Sequence, residues 1–228
     1  MEKRKGKFIV LDGTDGSGKN TQAQILIKKL KEDGYQVKKA DFPQYGKKSA
    51  GLVENYLNGE YGNAEETGPL IPSIFYAADR YDASFEIEKW LEEGKIVISN
   101  RYVSSNMAHQ GGKINDPKKR KKFFNWLYNL EYNLFRIPKP DLSLVLHVKP
   151  EIAQKLVDKK DPRTYINGEK RDMHEDDLDH LKKAEKIYIE IGRTLENFDI
   201  IECTDKDGIM PREKIAEKIY DKIKNKIK

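Results

Sequence analysis

Cysteine is nearly absent. The 228-residue chain carries one, Cys203, so no disulfide framework holds it together, and the usage fits a reducing cytoplasm. Long hydrophobic runs are missing too. No stretch approaches the roughly 20 apolar residues that a membrane-spanning helix needs, which argues against a membrane partner. The N-terminal MEKRKGK is basic but has no apolar segment of signal-peptide length before the run FIVL, so we expect no secretory leader and a cytoplasmic protein. Internal repeats, low-complexity linkers and composition breaks are also lacking. A chain of this length can bury a substantial core, and it reads as one domain over 1–228. Charge of one sign is not in large excess either. Lys and Arg number 43 against 38 Asp and Glu, net +5, and the two signs are interspersed. That pattern reads as a lysine-rich solvated surface rather than a nucleic-acid footprint.

What is present is an alternation of strand and helix patterns, the mark of an α/β fold. Five runs read as strands: FIVL (8–11), YQVKKADF (35–42), IVIS (96–99), LSLVLHV (142–148) and IIEC (200–203). Ala23, Leu26, Ile27 and Leu30 recur at i, i+3, i+4, i+7, an amphipathic helix that Gly34 stops. Residues 49–57 are weakly helical, and 70–93 form a long periodic segment closed by Gly94. A further helix carries Phe123, Phe124, Leu127, Leu130 and Leu134, and the last has Ile215, Ile219, Ile223 and Ile227 four apart. The expected fold is three-layered: a five-stranded parallel sheet flanked by helices on both faces. Residues 158–177 break the pattern. They are charged, contain Pro162 and Gly168, and read either as a surface loop or as a mobile lid.

The most specific motif is Gly13-Thr14-Asp15-Gly16-Ser17-Gly18-Lys19, a G-x4-G-K loop directly after a strand and before a helix. In that context the glycines let successive backbone N–H groups converge on phosphate oxygens, and the helix N-terminus adds partial positive charge. Lys19 supplies a cation toward the β and γ phosphates, which points to ATP. Asn20 stands where such loops usually place Ser or Thr to order Mg²⁺. Its amide oxygen is still an oxygen ligand, Thr21 offers a hydroxyl one residue later, and magnesium needs few protein ligands. No guanine-reading N-K-x-D is found, which argues against a GTPase switch.

Together with FPQYGKKSAGLVENYLNGEYG, FYAADR, SNRYVSSNMAHQGG and PKPDLSLVLHV, in that order, this loop resembles the thymidylate kinase family of nucleoside monophosphate kinases. The likeness runs from residue 8 to about 205. It implies transfer of the γ-phosphoryl of ATP to dTMP with Mg²⁺, small nucleotides as partners, a homodimer, and a closing lid over about 158–177. It also implies roles for particular residues. Asp15 would lie near the acceptor sugar and the metal, with Asn20 as a second contact to Mg²⁺, partly through water. Phe42 and Pro43 would border the monophosphate, Tyr76 (or Phe75) would stack on thymine, and Arg80 would hold the acceptor phosphate. Arg101 would span donor and acceptor phosphates. Ser105, Asn106 and Gln110 would face base and sugar, with His109 beside the deoxyribose. Arg163 and Arg171 would bring lid cations to the transferring group, Lys170 less directly.

The sequence departs from the family pattern at Gly16 (Arg in some members), Gln44 (often Arg), Asn100 (usually Asp) and His109 (commonly Tyr). Two other readings stay open at this point: a broader pyrimidine monophosphate kinase, and a nucleotide-binding module with impaired catalysis.

Overall fold

A computed structural model describes residues 6–63, 66–157, 177–206 and 208–227. The expected strands appear as β1 (Lys7–Asp12), β2 (Val37–Asp41), β3 (Ile96–Asn100), β4 (Leu142–His147) and β5 (Phe198–Glu202). They form one parallel sheet in the order β2-β3-β1-β4-β5. Alternation along β1 divides the core into two layers, because successive side chains point to opposite faces. Ile9 and Leu11 face the layer made by α1 (Lys19–Glu32) and α8 (Arg212–Ile227), where Leu26, Leu30, Ile215, Ile219 and Ile223 are buried. Phe8 and Val10 face α3 (Leu70–Glu92) and α5 (Pro117–Tyr128), with Ile87, Leu91, Phe123 and Leu127. A third cluster packs Val145 of β4 and Ala108 of α4 (Val103–Gly111) against Ile187, Tyr188 and Ile191 of α7 (Leu178–Thr194).

Two features depart from the sequence reading. The helix expected to run through Leu134 is α-helical only to Tyr128 and continues as a π-helical segment, Asn129–Leu134. Such widened turns are frequent at functional sites, and this one carries Glu131, which is fully buried. After β5 the chain adds a short antiparallel ribbon, β6 (Thr204–Asp205) with β7 (Gly208–Ile209), before α8. It was not foreseen because two-residue strands leave no periodicity to read.

Register decides where the site lies. Leu11 of β1 pairs with Asn100 of β3, and Asn100 with Asp41 of β2, so these strands finish side by side. The segments that follow them, 13–18, 42–47 and 101–102, therefore crowd one edge, where open parallel sheets bind ligands. No helix among the described residues is long and apolar enough to cross a membrane.

Candidate active site

The loop after β1 has glycines where only glycine fits. Gly16 has φ +84°, and a Cβ there would lie 2.0 Å from the carbonyl oxygen of Ala153 in α6 (Pro150–Val157). A side chain at this position is therefore excluded by the backbone of α6. Gly18, at φ +83°, is the N-cap of α1. Lys19 is buried at the start of that helix, and its Nζ donates to the carbonyl oxygens of Gly13 (3.0 Å) and Thr14 (2.8 Å). The ammonium is thus held over the loop it serves.

Arg101 is the hub of the site. It follows β3 in a left-handed backbone conformation (φ +66°) that costs a non-glycine residue on the order of 1–2 kcal/mol. Its N–H bonds to the Leu11 carbonyl at 2.9 Å, and its carbonyl accepts from the Ser99 hydroxyl at 2.7 Å. These bonds turn the side chain back over the phosphate loop. One guanidinium nitrogen forms an ion pair with Asp15. The other donates to Ser105 Oγ at 3.0 Å and His109 Nε2 at 3.3 Å. Burial would lower the Arg101 pKa, but the charge of Asp15 and the neighbouring Tyr188 and Asp12 outweigh it and hold the value well above normal. This cation does not titrate in any ordinary buffer.

Beneath Arg101 lies a fully buried carboxylate that the sequence reading missed. Asp12, the last residue of β1, accepts from Ser104 Oγ and Ser105 Oγ, both at 2.5 Å, and from Tyr188 OH at 2.7 Å. Burial and the Asp12 charge push the Tyr188 phenol pKa well above its usual range, so it stays a donor. The signal available in the sequence was a charged residue closing an otherwise apolar strand. Its partners come from α4 and α7, too far along the chain to infer.

On the acceptor side, the segment after β2 and helix α3 enclose a cleft of about 1290 Å³ continuous with the phosphate loop. That exceeds the ~300–1,000 Å³ of an ordinary single-ligand pocket and suits two nucleotides. Phe42, Tyr76, Arg80, Arg101, Ser105, Asn106, His109 and Gln110 all line it. Tyr76, not Phe75, faces the cleft and packs edge-on against Tyr56, while Phe75 packs against Tyr61. Arg80 is only 2% exposed and bidentate on Glu131, with Nε 2.7 Å from Oε2. Burial opposes its charge, but Glu131 more than compensates and raises the pKa. Glu131 also escaped sequence reading, although an acid four residues after Leu127 on an apolar stripe was the available sign.

Asn106 hydrogen-bonds Ser73 of α3 through both its amide atoms, each at 3.1 Å, so it also ties α4 to α3. Both amide atoms of Gln110 are buried without a protein partner, leaving a donor and an acceptor at the cleft wall. Gln44 does not imitate the missing Arg. Its amide nitrogen bonds Asp79 of α3 at 3.0 and 3.1 Å, while its amide oxygen accepts from Lys47 at 2.6 Å. Lys47 lines the cleft beside it.

On the donor side, Asn20 Oδ1 accepts from Lys39 at 2.9 Å, and Lys39 also reaches Asp41 at 2.7 Å. Asn100 donates to Asp41 at 2.7 Å, while its own Oδ1 is buried without a partner. So a carboxylate stands on β2, beside Asn100 in register. The set of Asn20, Asp41 and the orphaned Asn100 oxygen is all hard oxygen, which fits Mg²⁺. Among the described residues Asp15 is paired with Arg101 and Asn20 with Lys39. Among the described residues no cluster of three His, Cys, Asp or Glu side chains could cage a metal. Thr21 lines the cleft, and so do Ile209, Pro211 and Arg212, which the sequence reading did not single out. The expected lid cations Arg163, Lys170 and Arg171 lie outside the described residues.

Comparison with known proteins identifies the family. The family model described as thymidylate kinase matches residues 11–210. Thymidylate kinase of Plasmodium falciparum is 32% identical over 205 residues, covering 83% of this chain and 90% of that protein. A probable thymidylate kinase of Methanosphaera stadtmanae is 28% identical over 221 residues, 96% of each chain. The solved structure of thymidylate kinase from Candida albicans superposes with a TM-score of 0.76 at 22% identity, covering 98% of this chain and 93% of that one, a likeness of fold. With the phosphate loop, the five-stranded sheet and the family match all in agreement, the chain belongs to the thymidylate kinase family.

Proposed function

We propose that residues 1–228 act as one kinase domain that transfers the γ-phosphoryl group of ATP to dTMP, giving dTDP and ADP. The observation that carries this reading is the position of Arg101. Asp15 of the phosphate loop and Ser105 and His109 of the acceptor wall hold its guanidinium between them. An oxygen of the acceptor phosphate attacks the γ-phosphorus in line, and the bond from that phosphorus to the β–γ bridging oxygen breaks, leaving ADP. The attacking oxygen is already anionic, so no general base is needed. The work is alignment and neutralisation of charge on the equatorial oxygens.

Lys19 would turn from the loop carbonyls to the β and γ phosphates. Arg101 would contact both phosphates as the bridge between them. Tyr76 would stack on thymine, with Arg80, fixed by Glu131, and Gln110 at the base and phosphate. A bound Mg²⁺ would neutralise and orient the donor phosphates; Asn20, Asp41 and Asn100 are the residues here that would hold it, directly or through water. The segment around 158–177 is assigned the role of lid, with Arg163 and Arg171 as its cations.

We also assign the exposed stripe Ile71, Ile74, Tyr81 and Phe85 on α3 to contact with a second copy of the chain, because a row of large apolar side chains along one helix is costly to leave wet. A cytoplasmic setting is in keeping with the lone Cys203, whose thiol burial pushes up to about 12 and so makes unreactive.

The test is ADP release from ATP and Mg²⁺ with dTMP, dUMP, UMP, dCMP, AMP or GMP supplied one at a time. Rapid turnover with dTMP alone is expected. Equal rates with several pyrimidines would overturn the assignment of substrate, and no stimulation by any acceptor would overturn the assignment as a kinase.

A further inference from the structure

The side of Arg101 away from Asp15 rests on a pair of histidines. His109 of α4 and His180 in the first turn of α7 are each less than 10% exposed. Their rings meet edge to edge, with centroids 5.4 Å apart and an interplanar angle of 28°. His109 Nδ1 lies 3.2 Å from His180 Nε2, and His109 Nε2 lies 3.3 Å from the Arg101 guanidinium.

Donor and acceptor roles along this line follow from one fact: a guanidinium has only donors. His109 Nε2 must therefore present its lone pair to Arg101, which leaves the His109 proton on Nδ1. That proton faces His180 Nε2 at 3.2 Å, so His180 Nε2 is in turn an acceptor and its proton resides on Nδ1. A proton added to His109 Nε2 would put two donors and two positive charges face to face. We propose that His109 and His180 form a neutral, tautomer-locked relay that positions Arg101 and ties it to the start of α7. They are positioning residues, since neither need touch the reacting atoms.

The surrounding charges agree with a neutral pair. His109 faces Arg101, Lys19 and Asp15; His180 faces Lys113 beyond α4, Lys183 and Asp177 of α7, and Asp15 of the phosphate loop. Burial leads in lowering both pKa values, with Arg101 reinforcing it at His109 and Lys113 at His180. His180 falls to about 4. Tyr188 is also close, edge-on to His109 with centroids 6.0 Å apart.

The relay rests on the proposed kinase reading only for its consequence, so the test has a readout that does not need turnover. Long-range ¹H–¹⁵N correlation spectra of the full chain at neutral pH, assigned with His109→Gln and His180→Gln, are expected to show both imidazoles neutral and protonated at Nδ1. A proton on Nε2 of His109, or an imidazolium, would overturn the relay.

Kinetics provide the second arm. His180→Leu removes the acceptor for His109 Nδ1–H and is expected to lower kcat roughly 10- to 100-fold, the scale of a misplaced catalytic group, with KM for ATP little changed. His180→Gln keeps an acceptor and should recover most of that loss. Equal loss in both variants, or none in His180→Leu, would overturn the proposal. If His180→Leu does not fold, the wild-type spectra still decide. If the wild type shows no acceptor-stimulated turnover, the kinase reading fails while the tautomer measurement stands.

Discussion

Two charged side chains do most to define this molecule at the scale of single residues. Arg101 sits in a strained backbone conformation between the two halves of the cleft, and no other described arginine is shared between the phosphate loop and the acceptor wall. Arg101→Ala is expected to reduce turnover by about 10³ or more, the scale seen when a charge-stabilising arginine is lost in phosphoryl transfer. ATP affinity, measured by titration calorimetry, should move much less. Near-normal turnover would remove Arg101 from the chemistry. Arg80 and Glu131 make a different kind of pair, sealed from solvent on both sides. Glu131→Ala would leave a buried guanidinium without its counter-charge, which typically costs about 3–5 kcal/mol. A urea denaturation midpoint unchanged by this substitution would show that Arg80 is neutralised by something else. Arg80 was legible from the FYAADR motif. Glu131 was not, because its partner lies 51 positions away in sequence.

Between elements, the phosphate loop and the strand ends set the terms. Gly16 is packed against the backbone of α6, so the loop cannot take a side chain there without moving that helix. Gly16→Ala combines this clash with a left-handed φ. Strain of about 1–3 kcal/mol should weaken ATP binding by tenfold or more, as read by calorimetry; full affinity would mean that α6 yields. The parallel register that aligns Asp41 with Asn100 puts a carboxylate beside that end of β3. Asp41→Asn is expected to raise the Mg²⁺ concentration needed for half-maximal turnover, and to weaken Mn²⁺ binding to the ADP complex as followed by paramagnetic resonance. No change in either would leave Asp41 as a partner of Lys39 alone. The sequence offered the loop through its glycines and lysine, which act locally. It did not offer Asp41 as a substitute, because strand register is a property of the sheet.

The whole molecule responds to pH through its buried histidine. His180 has a folded pKa near 4 against an ordinary value of 6.5, so below about 6.5 the unfolded chain takes up a proton that the folded chain refuses. Stability is therefore fully present above that point and is lost as pH falls toward about 4, by up to about 1.4 kcal/mol per pH unit. The lowered pKa of His109 adds in the same direction. Urea midpoints across this window should fall more steeply for the wild type than for His180→Gln; parallel profiles would show that the group titrates normally. At the same scale, the apolar stripe of α3 is expected to pair two chains. Phe85→Glu, at a side chain 66% exposed, should convert a dimer to a monomer in sedimentation velocity without loss of fold. A wild type that is already monomeric would refute that pairing.

The sequence by itself determined the strands, most of the helices and the phosphate loop, because each depends on interactions within a few residues: a period of two or 3.6, a glycine at a positive φ, a lysine at the start of a helix. It also ordered the family's motifs along the chain, which is why the lining of the cleft could be named in advance. Tertiary structure alone decided what each charge rests on. Asp12 meets Tyr188 across 176 positions, Arg80 meets Glu131, and Arg101 meets His109, which meets His180, contacts created only when the sheet register and the packing of α4 on α7 fix their geometry. Burial then turns those contacts into strong electrostatic couplings, since a charge removed from water must be answered by whichever partner the fold supplies.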